Sequence, residues 1–385
     1  MKNKIAFFIA VFFIAACLTP TLSAGSVSPS AFYQTESTIV LDGGVQKNIY
    51  QNSLGQTMIQ YPNLDAYIDK ELAKSTDPND SMEIARNIIS KIEGNSILTD
   101  LPNEYLMEAF TYQEATQTVS YIKASSNGTL QYISEDLMLE EIGKRLQQER
   151  FLSSSSTNGS FEGNWTSDDG YMKLVTTAVR VESPESSTNS LNHYYIVSAS
   201  SYWLIEPTYT YEDVLALSFG SAIYDDSYTD FARIYELELC RECNNFYELL
   251  YDEMYTAEGY EYNNPEGSEH LNIIYPNGGA GIACRVNFDK DLGICEHYTD
   301  MAGVYVDYSY IDTMFSYIRS RVYSQGSDFT ISSAYSHKWA GIGSIDVSIS
   351  VGKGSLGGSI GFSGQVMRTD YWGRPIKVDY NSIIE

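Results

Sequence analysis

The sequence predicts an α+β protein, with an N-terminal mixed helical module followed by a mainly antiparallel, sandwich-like β domain. A helix-period apolar stripe near residues 80–94 predicts the first part, and evenly spaced β-branched and aromatic runs after residue 166 predict the second. A serine-rich stretch lies between them. We therefore divide the chain into a signal peptide (1–24), a helical and hairpin module (25–150), a Ser-rich linker (151–165) and a β-rich domain (166–385).

The first 24 residues have the layout of a bacterial-type signal peptide. Lys2 and Lys4 form a short cationic region, an apolar stretch covers residues 5–16, and small residues lead up to Ala24. We expect cleavage between Ala24 and Gly25. The mature chain is then expected to be secreted and to work in the extracellular space.

Cys17 supports an alternative processing of the same segment. It follows Ile-Ala-Ala, as in lipoprotein signals whose cysteine is lipidated and tethers the product to the membrane. Cleavage after Ala24 is favoured, because small residues and a proline follow Cys17. The apolar stretch is shorter than the ~20 residues of a spanning helix. No second long apolar segment follows, so we expect no stable membrane span in the mature chain.

The charge balance limits the classes of partner. The chain has 24 basic and 50 acidic residues, and loss of the signal removes two lysines and no acids, so the mature net charge is −28. Nucleic acids and anionic lipid surfaces need their phosphates neutralised by Lys or Arg. We therefore expect no nucleic-acid partner and predict an unidentified extracellular protein or glycan instead.

Helix-start and helix-stop signals organise the N-terminal module. A capping-box-like start at Asp80 and a stop at Gly94 bound one predicted helix. A short helix is predicted over residues 102–110, and a longer one begins at Ser134 and reaches Arg150. The first of these helices carries the apolar stripe Ala85, Ile88, Ile89 and Ile92.

The rest of the module is assigned from its turns and its polarity. Residues 116–123 and 129–133 predict a hairpin around Asn127-Gly128, a strong hairpin-turn signal. Residues 25–60 are polar with one β-like patch at 38–41, so loose structure is expected there.

Short strands dominate the predicted β domain. Gly, Asn, Asp and Pro clusters separate its β-branched and aromatic runs, as in antiparallel sandwiches. Residues 317–322 are predicted to belong to a covering helix. The predicted strands are 172–181, 193–205, 214–223, 231–239, 271–275, 281–288 and 301–308.

Four cysteines remain after the signal, namely Cys240, Cys243, Cys284 and Cys295. An even number in an exported protein predicts disulfides, for which three pairings exist. A hairpin that pairs Arg285 with Ile294 would set Cys284 opposite Cys295, within bridging distance. This pairing is favoured, and it leaves Cys240 and Cys243 to pair locally.

Residues 344–366 predict a C-terminal amphipathic hairpin. Its apolar positions are Ile345, Val347, Ile349 and Val351 in the first half and Leu356, Ile360 and Phe362 in the second, and they alternate mainly with Ser and Gly. Pairing Val351 with Leu356 gives one apolar face and one polar face.

This hairpin has two conceivable uses. It covers a core, or it leaves the fold and joins a membrane-spanning sheet around a pore. A spanning strand needs ~9–11 residues, and the clean alternation covers about eight per strand. The length therefore favours packing against a core.

No catalytic signature is present, so no catalytic residue and no metal ligand is assigned. The four histidines are His193, His270, His297 and His337, and neither His193 nor His337 has a motif around it. Both are expected at strand edges.

Calcium is the one cofactor that the sequence raises. Asn287, Asp289 and Asp291 have the spacing of a calcium loop, but the glycine falls one place late, at 293, and Tyr298 stands where the loop needs Glu. A solvated turn is the default interpretation, with calcium as the alternative.

The abundance of tyrosine suggests a ligand surface. The chain has 32 tyrosines, and aromatic side chains with polar tips suit sugar or protein ligands. Tyr202, Trp203, Tyr305 and Tyr308 are the candidates. The sequence thus predicts a secreted, non-enzymatic binding protein with an acidic, Tyr-rich β domain. The alternatives are an extracellular hydrolase without a recognisable motif and a pore-forming toxin that uses the 344–366 hairpin.

Overall fold

A computed structural model describes residues 35–40, 45–53, 55–74, 78–93, 101–124, 129–144, 170–184, 191–205, 212–240, 246–256, 261–262, 271–276, 279–287, 294–299, 303–351 and 357–379. The signal segment, the predicted linker and the Asn127-Gly128 turn lie outside these ranges.

The described chain is built mainly from antiparallel sheets. The helices are α1 (Leu64–Leu72), α2 (Pro78–Glu93), α3 (Asn103–Glu108), which runs into a 3-10 turn (Ala109–Thr111), and α4 over 135–144. The strands are β1 (Thr35–Val40), β2 (Gln46–Gln51), β3 (Thr57–Tyr61), β4 (Tyr112–Ala124), β5 (Leu130–Ile133), β6 (Tyr171–Val181), β7 (Asn192–Ile205), β8 (Glu212–Ser218), β9 (Ile223–Tyr224), β10 (Phe231–Cys240), β11 (Phe246–Thr256), β12 (Glu261–Tyr262), β13 (Leu271–Ile274), β14 (Gly281–Asn287), β15 (Ile294–Thr299), β16 (Gly303–Gln325), β17 (Phe329–Ala340), β18 (Asp346–Val351), β19 (Gly358–Ser363), β20 (Met367–Trp372) and β21 (Ile376–Val378).

Most strands join one large sheet. Its order is β1-β2-β3-β4-β6-β7-β16-β10-β11-β12, with β5, β9 and β15 attached at its sides. Strands β4 and β6 pair directly, and β4 lies before the predicted linker whereas β6 lies after it. Strands from both predicted modules therefore share a sheet.

The predicted N-terminal helices form and cover one face of this sheet. Helix α2 includes the predicted stripe, and Ile88, Ile89 and Ile92 are buried against Tyr112 of β4 and Phe315 of β16. A period of 3.6 places such residues on one side of a helix, which explains why the stripe was recognisable. The predicted hairpin also forms, because β4 pairs with β5.

Two predictions in this sheet are wrong. The segment expected to be loose contains β1, β2 and β3, which pair in sequence and extend the sheet. Residues 317–322 belong to β16 rather than to a helix. Layers cover both faces of β16, so its side chains from 314 to 320 are all buried. The alternation that identifies a half-exposed strand is therefore missing.

A smaller sheet covers the opposite face of the large one. Its order is β13-β14-β8-β17-β20, and β21 also pairs with β17. Leu215 and Leu217 of β8 point into the core between the two sheets, whereas Val214 and Ala216 point to the outer face. That outer face carries the C-terminal hairpin.

Candidate functional site

The C-terminal hairpin forms, but its register differs from the predicted one. Strands β18 and β19 pair Val347 with Phe362 and Ile349 with Ile360. The predicted pairing of Val347 with Ile360 is therefore wrong by two residues. A shift of two preserves which side chains share a face, so the alternation could predict the two faces but not the register.

The hairpin lies on the small sheet with its apolar face inward. Ile345 and Ile349 are fully buried, and Ile360 and Phe362 are 7% and 9% exposed. Ser348 and Ser350 on the other face are exposed, as is Asp346. An amphipathic hairpin in water has to cover its apolar side, and the outer face of the small sheet does so.

The fully buried part of the surface beneath the hairpin consists of small side chains, and half-buried Ile274 and Trp372 also pack against this cluster. Val214 and Ala216 of β8, Ala283 of β14 and Ala334 of β17 form the buried part, and the branched side chains of the hairpin fill the space above them. The approach is closest at Gly358, where an added Cβ would lie 1.7 Å from Ser218 Oγ. Only a residue without a side chain fits this position.

Three basic side chains hold the base of the hairpin through its backbone. Lys338 Nζ donates to the carbonyl of Gly343 at 2.5 Å, and Arg368 Nη2 donates to that of Phe362 at 2.6 Å. Arg285 Nη2 donates to the carbonyl of Ile345 at 3.4 Å. Sequence reasoning missed all three, because the alternation that predicts the hairpin gives no information about the donors to its carbonyl groups.

The hairpin is a two-stranded sheet of its own. Among the ladders of the described strands, none joins β18 or β19 to another sheet, and the backbone contact with β17 is a single bridge between Thr330 and Gly357. Among the described residues, the hairpin is therefore held on the small sheet mainly by apolar packing and by hydrogen bonds from the three basic side chains.

The chain reverses direction where it enters and leaves the hairpin. Gly341 and Gly343 precede β18 with φ of 103° and 116°, and Gly364 follows β19 with φ of 130°. Side chains rarely adopt such φ values, so glycine is required at these bends. The bends fold the hairpin back over the sheet from which it emerges.

The two strands that flank the hairpin are paired with each other. Strand β17 enters it, β20 leaves it, and they form an antiparallel ladder that reaches Ala340 and Met367. Extending this ladder residue by residue would pair Ile345 with Phe362 and then Val347 with Ile360. That is the register predicted from the alternation, and it differs from the docked register.

Trp203, one of the four residues of the predicted ligand surface, is buried. Its side chain is 2% exposed and lies in the core between the sheets, with Nε1 donating to Tyr335 Oη at 3.2 Å. Tyr202 is half-buried beside Phe315 and Lys173. Long strands of the large sheet turn alternate residues inward, which buries Trp203. The side chains of Tyr305 and Tyr308 lie outside the described part of the chain.

The predicted hairpin between residues 281 and 298 does not form. Strand β14 pairs with β13 and β8 on its two edges, and β15 pairs with β16. Cys284 therefore does not face Cys295 through the proposed ladder, and it is a buried free thiol whose pKa burial raises to about 12. The side chains of Cys240 and Cys295, and all of Cys243, lie outside the described residues.

His337 lies in a buried polar cluster rather than at a strand edge. Its Nδ1 is 3.0 Å from Asp213 Oδ1, and Tyr335 Oη donates to Asp213 Oδ2 at 2.5 Å. The side chain is packed against Trp203 and is 6% exposed. Asp213 is more than 100 positions from Tyr335 and His337 in the sequence, so no local pattern could reveal the cluster. His193 is half-buried, and desolvation lowers its pKa.

Two acidic residues that lie close together in the sequence, Asp225 and Asp230, have structural partners. Asp225 pairs with Arg321, and Tyr224 Oη donates to buried Asp230, whose pKa burial raises. Among described side chains, no group of three His, Cys, Asp or Glu residues is placed to hold a metal ion. Most of the calcium-like loop, residues 288–293, lies outside that set.

No family model matches the chain, and no curated protein matches it. Within the described segments, no helix combines the length and apolar character needed to cross a bilayer.

Proposed function

We propose that the chain is a secreted, non-enzymatic protein whose partner is a lipid bilayer, which it perforates by inserting the hairpin of residues 341–366. The proposal keeps the predicted secretion and replaces the protein or glycan partner with a membrane. It also treats the β-rich domain as a sandwich-like body from which the hairpin is released.

The observation that carries the proposal is the continuity between the β17–β20 ladder and the hairpin. If the bends at Gly341 and Gly364 straighten, the ladder runs on from Ala340 and Met367 without a change of register. The extended hairpin then has Ile345, Val347 and Ile349 on one face, and Ser and Gly on most of the other. Membrane strands show this alternation, with the apolar face toward lipid.

The extended hairpin is long enough for a membrane. Residues 341–351 and 356–366 supply eleven residues per strand, and spanning strands need ~9–11. The alternation counted from the sequence covered only about eight residues per strand, because that count left out the residues at the glycine bends. Asp346 is the one charged residue in these two segments. Ile342 departs from the pattern, since it falls on the polar face at the membrane edge.

Release of the hairpin has a limited cost in hydrogen bonds. The β18–β19 ladder has to re-pair in the new register and the bridge between Thr330 and Gly357 is lost, but no ladder to another described strand has to break. The three donors at the base of the hairpin, Lys338, Arg368 and Arg285, can turn to water. The larger cost is exposure of the apolar face, about 25 cal/mol per Å². A bilayer removes this cost, because it takes up the same face.

One hairpin cannot close a pore. Backbone groups at the free edges of two strands would remain unpaired in hydrocarbon, where each costs several kcal/mol. Hairpins from several copies must therefore pair side by side. The function thus requires assembly of the protein on the membrane.

A reversible disulfide tests whether the hairpin has to detach from the outer face of the small sheet. A Cβ built on Gly357 lies 3.9 Å from Thr330 Cβ, within the range of disulfides. We expect oxidised T330C/G357C to release no calcein from zwitterionic phosphatidylcholine vesicles, and reduction to restore the leakage. Zwitterionic lipid is chosen because the processed chain, whose net charge after loss of the two signal lysines is −28, is repelled by anionic surfaces.

The single variants T330C and G357C, with and without reductant, are the matched controls. They should leak like the unmodified chain under both conditions. Leakage by the oxidised double variant at the unmodified rate would contradict the proposal. Intact vesicles with the properly processed, unmodified chain would contradict it as well.

A further inference from the structure

We infer that Asp346 makes the pore selective for cations. The inference rests on the proposed function, because it assigns a role to a side chain on the polar face of the inserted hairpin. Asp346 is exposed in the docked state and faces away from the small sheet, on the side opposite Ile345.

The extended register keeps Asp346 on the water-filled side. It lies on the same face as Ser344, Ser348 and Ser350, and continuation of the β17–β20 ladder places it opposite Gly361. A glycine there leaves the carboxylate uncovered in the lumen. In an assembly of several copies, one Asp346 per copy forms a ring of carboxylates.

Rings of Asp or Glu favour cations in ion-conducting pores, because they lower the energy of a cation and raise that of an anion. The other polar positions of the two strand segments, 341–351 and 356–366, are neutral Ser, Gly and Gln. The opposing charge is Lys353, which lies between the two strands in the sequence and would be at the tip of the inserted hairpin. A tip residue emerges beyond the far surface of the bilayer, where water screens its charge.

Planar phosphatidylcholine bilayers with a KCl gradient provide the test. The unmodified chain should give a reversal potential that favours K⁺ over Cl⁻. D346N should shift it toward equal permeability, and D346K should shift it toward Cl⁻. D346E should behave like the unmodified chain. D379N removes the same charge outside the hairpin and is the matched control, with an unchanged reversal potential.

The two proposals fail in different ways. Absence of any channel current would overturn the proposed function and this inference with it. Channels whose reversal potential is the same in the unmodified chain, D346N and D346K would overturn the role of Asp346 and leave pore formation standing. Equal shifts in D346N and D379N would also overturn it, since the selectivity would then reflect overall charge.

Discussion

Gly358→Ala should weaken the docking of the hairpin without changing its faces. The added methyl group would lie 1.7 Å from Ser218 Oγ and 3.0 Å from Ser218 Cβ, and 3.3 Å from the backbone nitrogen of Gly220. The hydroxyl can turn away, but the Cβ contact remains. Overpacking of this kind costs about 1–3 kcal/mol. At tenfold per 1.4 kcal/mol, the population of detached hairpins rises about 5- to 150-fold.

The assay compares Gly358→Ala with Gly357→Ala. The Gly357 variant adds the same methyl group but meets only Thr330 Cβ, at an ordinary 3.9 Å. Calcein release should be faster for Gly358→Ala. Binding of a hydrophobic dye should also increase, because detachment of the hairpin exposes the apolar outer face of the small sheet. The double variant S218A/G358A should recover part of the docking, since it removes the hydroxyl. Identical leakage and dye binding for the two glycine variants would refute the packing argument.

Two further predictions concern the body of the protein. D213A leaves Tyr335, His337 and the Lys338 N–H without their buried acceptor and should lower the free energy of unfolding by about 3–5 kcal/mol in urea titrations. The exposed D379A is its control, and equal stability of both variants would contradict the role of the cluster. Cys284 should resist alkylation at pH 8, because a pKa of about 12 leaves about one thiolate in ten thousand, and it should react after unfolding. Peptide mass mapping checks this, and rapid labelling of the native chain at Cys284 would contradict its burial.

The sequence predicted those elements whose pattern is local. Helix α2 has its apolar stripe within eight residues, although it begins at Pro78, before the predicted start at Asp80. The alternation in β18 and β19 defined their faces. The prediction for residues 317–322 of β16 was wrong, because a strand that is covered on both faces shows no alternation of apolar and polar residues.

Long-range arrangement was beyond the sequence for a different reason. The 281–298 hairpin is plausible locally, yet β14 is paired on both edges by β13 and β8, and β8 lies more than 60 residues earlier. The strand that follows β14 in the sequence is only one of several strands whose edges could pair with it. Burial of Trp203 likewise depends on the smaller sheet, which covers it.

The register difference at the hairpin is where the sequence and the docked state disagree. The predicted pairing of Val347 with Ile360 was wrong for the docked hairpin, yet it is the pairing that the β17–β20 ladder generates when extended. An odd shift between the two registers would turn the apolar face outward in one of them, whereas a shift of two keeps it intact. The same alternation therefore gives an apolar face that packs on the small sheet in the docked form and would contact lipid in the proposed inserted form.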